Sequence, residues 1–408
     1  MIEDTCYRGE EKRKVTYMNK EQLWTKDFIG VTATNFFQML TFYLLMVTIS
    51  EFAVNEFQSS ESHAGLASSI FVIGALVGRL FGGKFMERIG RKKLLIAGLV
   101  LVVISSALYF EVNSYMMLIA NRLLHGFAFG VAGTATGTII AHVIPHSRKG
   151  EGIGYFALSM TLATAIGPFI GLFILEHFSF KLIYVFCLGC AAISLVIALL
   201  LRIQEITLTQ EQTAEMKGFK LSNFIESKSV PITLVAAVTA FCYSGIISFL
   251  TFYAKENHVT EAASFFFVVY AVAIVVTRPF TGRWFDSKGS NFVMYPAIVS
   301  FVLGMIVLSQ SHVSGILLLA GALIGFGYGT YMSSSQAVAI KVAPAHRIGL
   351  ATSTFFILTD IGLGIGPFLQ GLFVPSLGYS GLYIILSILL VICLPLHHLL
   401  YGRNQRTT

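Results

Sequence analysis

Three side chains that could move a proton stand inside otherwise apolar runs: Asp360 in FFILTDIGLGIGPF, and Arg122 and His125 in LIANRLLHGFAFG. In an apolar medium a carboxylate persists only when it is paired or protonated, which suits a group that loads and releases a proton; the alternative is a fixed structural partner for an arginine or a hydroxyl. An arginine two turns inside a membrane costs about 2.5 to 3.5 kcal/mol on insertion scales, so Arg122 is expected to face a cavity or an acid. His125, one turn on, can share a proton with it, or simply hydrogen-bond between helices. A different chemistry is offered by GRLFGGKFMERIGRKK, residues 78–93, where Glu87, Arg88, Arg91, Lys92 and Lys93 crowd around Gly83 and Gly90 between two apolar segments.

The elements that carry these groups follow from composition. Of 408 residues 55% are hydrophobic and 12% charged, and the mean hydropathy is +0.75, whereas a soluble domain carries about 25% charged residues. Apolar runs near the ~20 residues that cross a bilayer recur along the whole chain, and their backbone groups must be satisfied internally, so they are helices. Twelve are expected, at about 28–50, 64–86, 94–111, 115–141, 152–175, 182–201, 231–254, 262–281, 292–310, 314–340, 348–373 and 380–400, with ends good to about 2 to 4 residues. Glu51 would then be a solvated acid at the rim of the first.

Net charge +7 and a pI of 9.1 raise the question of nucleic acid. The basic residues answer it by following membrane topology. With both termini cytoplasmic, all but five of the 28 Lys and Arg fall in inner segments; Lys181 and Lys255 lie in outer loops, and Arg79, Arg122 and Arg278 within helices. This is the positive-inside pattern, and it sets the expected orientation. Cys6, Cys187, Cys190, Cys242 and Cys393 suggest no disulfide framework, and the C-x-x-C at 187–190 reads as buried thiols. The polar amino terminus does not read as a signal peptide, and the charge-mixed stretch 1–17 makes Met18 a candidate start.

Sliding the sequence on itself by 199 positions aligns GRLFGGKFMERIG with TRPFTGRWFDSKG: Arg79 meets Arg278, Gly83 meets Gly282, Glu87 meets Asp286 and Gly90 meets Gly289. Without a gap Gly126, Gly130, Pro145, Gly150, Gly167 and Pro168 meet Gly325, Gly329, Pro344, Gly349, Gly366 and Pro367. Two six-helix bundles, 25–201 and 231–400, are therefore expected as a parallel repeat about an axis along the membrane normal. A tail at 1–24, a linker at 202–230 and a tail at 401–408 would be cytoplasmic. Such a repeat can rock about a midplane site, giving alternating access.

At these residues the chain resembles the major facilitator superfamily, over nearly all of 25–400. The family's turn between helices 2 and 3 reads G-x-L-a-D-R-x-G-R-K, and Gly83-Lys-Phe-Met-Glu87-Arg88-Ile-Gly90-Arg91-Lys92 matches it with Glu for Asp. The resemblance implies a conformational lock, the acid meeting the positive end of helix 11. In the second copy Gly282 and Asp286 remain while Ser287 and Ser290 replace the arginines, so that copy reads as weaker. Leu118, Arg122 and Gly126 resemble the helix 4 pattern to which the family assigns a part in proton coupling.

Gly154, Ala163, Gly167, Pro168 and Gly171 resemble the antiporter motif G-x8-G-x3-G-P-x2-G-G, departing from it at Ala163 and Leu172. With their copies Gly366 and Pro367 in helix 11 they read as a hinge or seal, or as close helix packing. By the resemblance helices 1, 4, 7 and 10 line the cavity. That places Asn35, Gln38, Tyr43, Tyr243, Tyr328, Tyr331 and Gln336 around a substrate, an aromatic and hydroxyl-rich wall suited to amphipathic organic molecules.

No Walker loop, dinucleotide fingerprint, metal-ligand spacing or nucleophile and base pair emerges, so no cofactor, metal or enzymatic activity is expected. The driving energy must then be an ion gradient. The expectation is a monomeric, proton-coupled secondary transporter of a bacterial cytoplasmic membrane, exporting amphipathic drug-like compounds or metabolites. A symporter taking up a small polar solute such as a sugar is the alternative, and a membrane sensor or scaffold a third. Its partners are a small-molecule substrate, protons and the lipid bilayer, with no nucleic acid.

Overall fold

The structure is a computed structural model and describes residues 22–59, 61–205, 209, 211–212, 220 and 223–402. Residues 1–21 with Met18, most of 206–222 and the last six residues lie outside the described part. The described residues form twelve membrane-length helices and no strands. The first half comprises α1 (Lys26–Phe57), α2 (Glu61–Ile89), α3 (Arg91–Leu108), α4 (Tyr115–Val143), α5 (Lys149–His177) and α6 (Phe180–Leu200). The second comprises α7 (Val230–Glu256), α8 (Thr260–Lys288), α9 (Ser290–Ser309), α10 (Ser314–Lys341), α11 (Ile348–Gly371) and α12 (Val374–Leu400).

Most helix ends fall near the limits of the apolar runs; α8 overruns its run by seven residues to Lys288, α12 starts six early at Val374, and α1 also runs on. It continues past Glu51 to Phe57, because hydropathy ends where charges begin while the backbone ladder goes on. Thr25 caps its start, the hydroxyl accepting from the Phe28 amide at 3.1 Å. α10 also departs from a plain rod: its residues Gly325–Gly329 wind as a π-helix between two α-helical stretches. The corresponding Gly126–Gly130 of α4 stays regular.

The repeat is visible in how helices pair. α1 packs on α5 as α7 packs on α11, α2 on α4 as α8 on α10, and α3 on α6 as α9 on α12. The turns after α2 and α8 are built alike, on Gly90 at φ +99° and Gly289 at φ +87°, a left-handed conformation that costs a side chain about 1 kcal/mol or more. α2 and α4 cross so closely that a Cβ on Gly126 or Gly130 would strike the Phe71 or Ala75 carbonyl. Small residues are what let membrane helices approach to that separation. Large apolar side chains such as Phe169, Val196 and Ile388 are exposed on the outside, where lipid would lie.

The two halves meet along two seams related by the repeat, α2 with α11 and α5 with α8. The close contacts along them lie toward the end bearing the charged turns: Gly83 faces Ser353, Gly349 faces Met86, and Gly150 faces Phe285. The start of the linker belongs to the first half, since Glu205 accepts from the Arg91 and Lys92 amides at 2.8 and 2.9 Å. Its end belongs to the second half, where Glu226 pairs with Arg347 and its amide donates to the Thr354 hydroxyl at 2.9 Å.

Candidate functional site

Asp360 does not meet Arg122 or His125. Its Oδ2 lies 2.8 Å from Nε of Arg79, so α11 and α2 are joined across the seam by an ion pair deep in the bundle. Three features hold Arg79 there. Ser353 donates its hydroxyl to the Arg79 carbonyl at 2.7 Å, tying α11 to α2 about two turns along α11 from Asp360. Phe356 carries the guanidinium over its ring at 4.5 Å, and Phe129 flanks it at 5.9 Å. Cation–π contact of this kind gains strength where water is excluded. Arg79's side chain is 5% exposed and that of Asp360 24%, so the acid is the half of the pair open to a ligand or a proton.

The second copy is built differently. Arg278, the repeat partner of Arg79, stays within its own half: it donates to the Ser333 hydroxyl and, at 3.2 Å, to the carbonyl of Gly329 at the end of the π turn. Its Nε has no hydrogen-bond partner, and it forms no ion pair among the described residues. Position 161, where the repeat would put an acid, is Thr161, whose hydroxyl turns back to the Ala157 carbonyl at 3.4 Å. Both arginines were visible in the sequence as charges within helices and as repeat partners. Nothing in either pattern named the acid.

Arg122 faces neither an acid nor a cavity. It is fully buried, with Nε donating to the Ala67 carbonyl at 2.9 Å, Nη2 to Ser68 at 3.4 Å and Nη1 to the Tyr109 hydroxyl at 3.5 Å. The Phe71 ring lies 4.6 Å beneath it. The first turns of α2 supply those carbonyls, roughly 18 Å along the helix from Arg79. His125 hydrogen-bonds Tyr109 at 3.2 Å, which makes the two residues part of one clamp between α2, α3 and α4.

The charged turns reverse the expected ranking. Glu87 is taken by Arg91 of its own turn, both oxygens held at 3.0 Å in a fork, rather than by the start of α11. Asp286 instead makes the helix-terminus contact. The Gly150 amide donates to Oδ1 at 2.8 Å and the Glu151 amide to Oδ2 at 3.0 Å, at the amino terminus of α5. Glu151 in turn pairs with Arg148 at 2.8 Å and Arg283 at 3.4 Å. Arg88 lies with its guanidinium 6.0 Å from the Phe85 ring. Close approach explains Gly83 and Gly282, which face Ser353 and the Glu151 backbone.

The α5 glycines pack within a half. Gly167 faces Leu40 and Tyr43 of α1 and Gly171 faces Leu44 and Thr48, while Gly366 of α11 faces Ser244 of α7. Gly154, like Gly150, lies on a seam, its missing Cβ 3.0 Å from Cδ of Arg278. Pro168 and Pro367 occupy equivalent interior positions of α5 and α11.

Of the expected cavity residues, three tyrosines converge. The Tyr243 and Tyr328 rings stack at 4.0 Å, and Tyr270, which the sequence reading passed over, lies against Tyr243 at 5.6 Å. Tyr43 of α1 stands beside Thr164 and within electrostatic range of Asp360, Tyr243 and Tyr328. Gln38 is buried with both amide atoms unpartnered, and Gln336 is buried with its Nε2 unpartnered. Two others turn elsewhere. Asn35 ties α1 to α5 and α4 through Ser159 at 2.8 Å and Thr136 at 3.4 Å. Tyr331 points away from the centre to His397 of α12 at 3.3 Å, because the π turn widens the winding and rotates the face that follows it.

Twelve spans in two repeated bundles, with seams that close at one end and an ion pair bridging them, are the architecture of a membrane carrier. The family model described as Major Facilitator Superfamily matches residues 31–314 and 232–408, and the chain belongs to that superfamily. An uncharacterized MFS-type transporter of Methanocaldococcus jannaschii is 24% identical over 328 residues, 78% of this chain and 84% of its own. One of Burkholderia pseudomallei is 23% identical over 395 residues, 94% of each. The fold is also that of the transporter FucP in an outward conformation, with TM-score 0.73, 16% identity, and 93% and 99% of the two chains covered. The human organic anion transporter MFSD10 (TETRAN) has TM-score 0.71, 16% identity, and coverage of 91% and 98%. The protein is thus a multi-pass membrane transporter of the secondary class.

Proposed function

We propose that the protein is a proton-coupled carrier in which Asp360 loads the proton and Arg79 reports its arrival. The observation that carries this reading is the Arg79–Asp360 pair at 2.8 Å across the α2–α11 seam. Protonation would remove the attraction, free the guanidinium and loosen that seam, which is the coupling that alternating access needs. The bundles 25–201 and 231–400 would rock as units in a single chain, with the charged end cytoplasmic and closed in the conformation described. A bacterial cytoplasmic membrane fits the charge distribution.

Export of amphipathic compounds in exchange for protons is supported by the resemblance of the α5 glycines to the antiporter pattern. A second reading, solute and proton moving together, is favoured by the pair itself. Loading a proton on Asp360 leaves the site more positive and leaves Arg79 free to hold a solute.

The test is proton movement in proteoliposomes under an imposed pH gradient, with wild type and Asp360→Asn side by side. Substrate-dependent proton flux in wild type and its loss in the variant are expected. Flux with an unchanged pH profile in Asp360→Asn would remove Asp360 from the role.

A further inference from the structure

The groups at the middle of the bundle carry an excess of positive charge. Arg79, Arg278, Asp360 and Gln38 all lie about 15 to 18 Å along their helices from the charged end, half of the ~30 Å apolar thickness of a bilayer. At that level stand two guanidinium groups and one carboxylate. Asp360 answers Arg79, and Arg278 is left with a serine hydroxyl, a glycine carbonyl and an unpartnered Nε, in a side chain only 4% exposed. A buried charge without a counter-ion is costly, and intramembrane charges are retained where a ligand completes them.

The tyrosine cluster links the two arginine sites. Tyr43 and Tyr328 are within electrostatic range of Asp360, the rings of Tyr328, Tyr243 and Tyr270 run on at 4.0 and 5.6 Å, and Tyr270 is in range of Arg278. The four come from α1 of one half and α7, α8 and α10 of the other, so they straddle the axis about which the halves would rock. The tyrosine hydroxyl groups are donors, and their rings offer apolar and edge contacts to an aromatic body.

We propose that this centre binds an organic anion, a carboxylate or sulfonate on an aromatic or apolar body, with Arg278 as its counter-ion and the tyrosines around its body. A lipophilic cation would meet Arg278 with the wrong sign and a neutral amphiphile would leave its charge unanswered. The proposal deepens the proton-coupled reading and in its coupling rests on it: a proton on Asp360 frees Arg79 for the same anion, so anion and proton bind together and cross together.

The test uses the full-length protein with 4-tert-butylbenzoate and naphthalene-2-sulfonate as anions, 4-tert-butylbenzamide as neutral isostere and 4-tert-butylbenzylamine as cation. Binding is read in detergent as the rise in unfolding temperature with concentration, and transport as proton flux in proteoliposomes. The anions are expected to stabilise wild type and the amide and amine not to. Arg278→Gln should weaken anion binding by about tenfold or more, the loss of a charge-assisted contact, and Arg278→Lys should recover part of it. Equal or tighter binding of the amine or amide, or no stabilisation by either anion, overturns the proposal even if the variants fail to fold. Anions that bind without moving protons would leave the anion site standing and remove the coupling; an amine that moves protons while the anions bind nothing would do the reverse.

Discussion

Asp360 and Arg79 stand 281 positions apart in sequence, in opposite halves of the bundle, with Oδ2 and Nε 2.8 Å apart. The repeat offers the same arrangement twice and fills it once. On the other seam Arg278 keeps the place of Arg79, while Thr161 stands in the place of the acid.

That asymmetry can be inverted by mutation. Thr161→Asp would set a carboxylate toward Arg278, neutralise the free guanidinium and weaken binding of 4-tert-butylbenzoate by about tenfold or more. In an Asp360→Asn background the same change moves the bridging acid to the α5–α8 seam, and part of the proton flux should return in proteoliposomes. Flux that stays at the level of Asp360→Asn would show that the two seams are not interchangeable.

Asp286 holds the start of α5 by two amides, whereas Glu87 is held by Arg91. A carboxylate at a helix amino terminus contributes about 0.3 to 1 kcal/mol, and about 2 when partly buried. Asp286→Asn should therefore speed hydrogen exchange at the Gly150 and Glu151 amides by about 2- to 30-fold. Glu87→Gln should leave exchange at 348–351 unchanged. A variant pair with the opposite ranking would restore the first turn as the helix lock.

Arg122 serves α2 carbonyls and a tyrosine, so its loss should act on stability and leave coupling alone. Arg122→Lys keeps the charge but gives up the planar fork, and a loss of about 1 to 3 kcal/mol in unfolding is expected for the buried acceptors left unpaired. Thermal unfolding and the pH profile of transport measure the two effects separately. A displaced pH profile at full stability would return Arg122 to the proton path.

The twelve helices, the repeat and the glycine turns could be read from the sequence because each is written in local periodicity or in a constant shift. Gly90 and Gly289 align at that shift and share a positive φ. Partnership was harder. Arg79 was visible as a charge inside a helix, but its acid lies in the other half, and the repeat that aligned the two arginines aligned Asp360 with a threonine. The ranking of the charged turns failed because it counted arginines. What decides is whether the carboxylate is free to reach backbone amides, and Arg91 occupies the one at Glu87. Tyr331 was placed at the cavity by the resemblance, which assigns helix 10 to the wall; with five residues wound as a π turn just before it, its hydroxyl meets His397 instead.

The wide turn at Gly325–Gly329 leaves α10 wound slack, with more chain in one coil than the rest of the rod uses. Taking up one residue of that slack would swing the stretch from Thr330 to Lys341 by roughly 100° about its own axis and shift it by about 1.5 Å. The guanidinium of Arg278 rests on the last carbonyl of the slack coil, where it would act as the pawl of such a ratchet. Whatever drew that guanidinium toward the centre of the bundle would release the last twelve residues of α10 to turn.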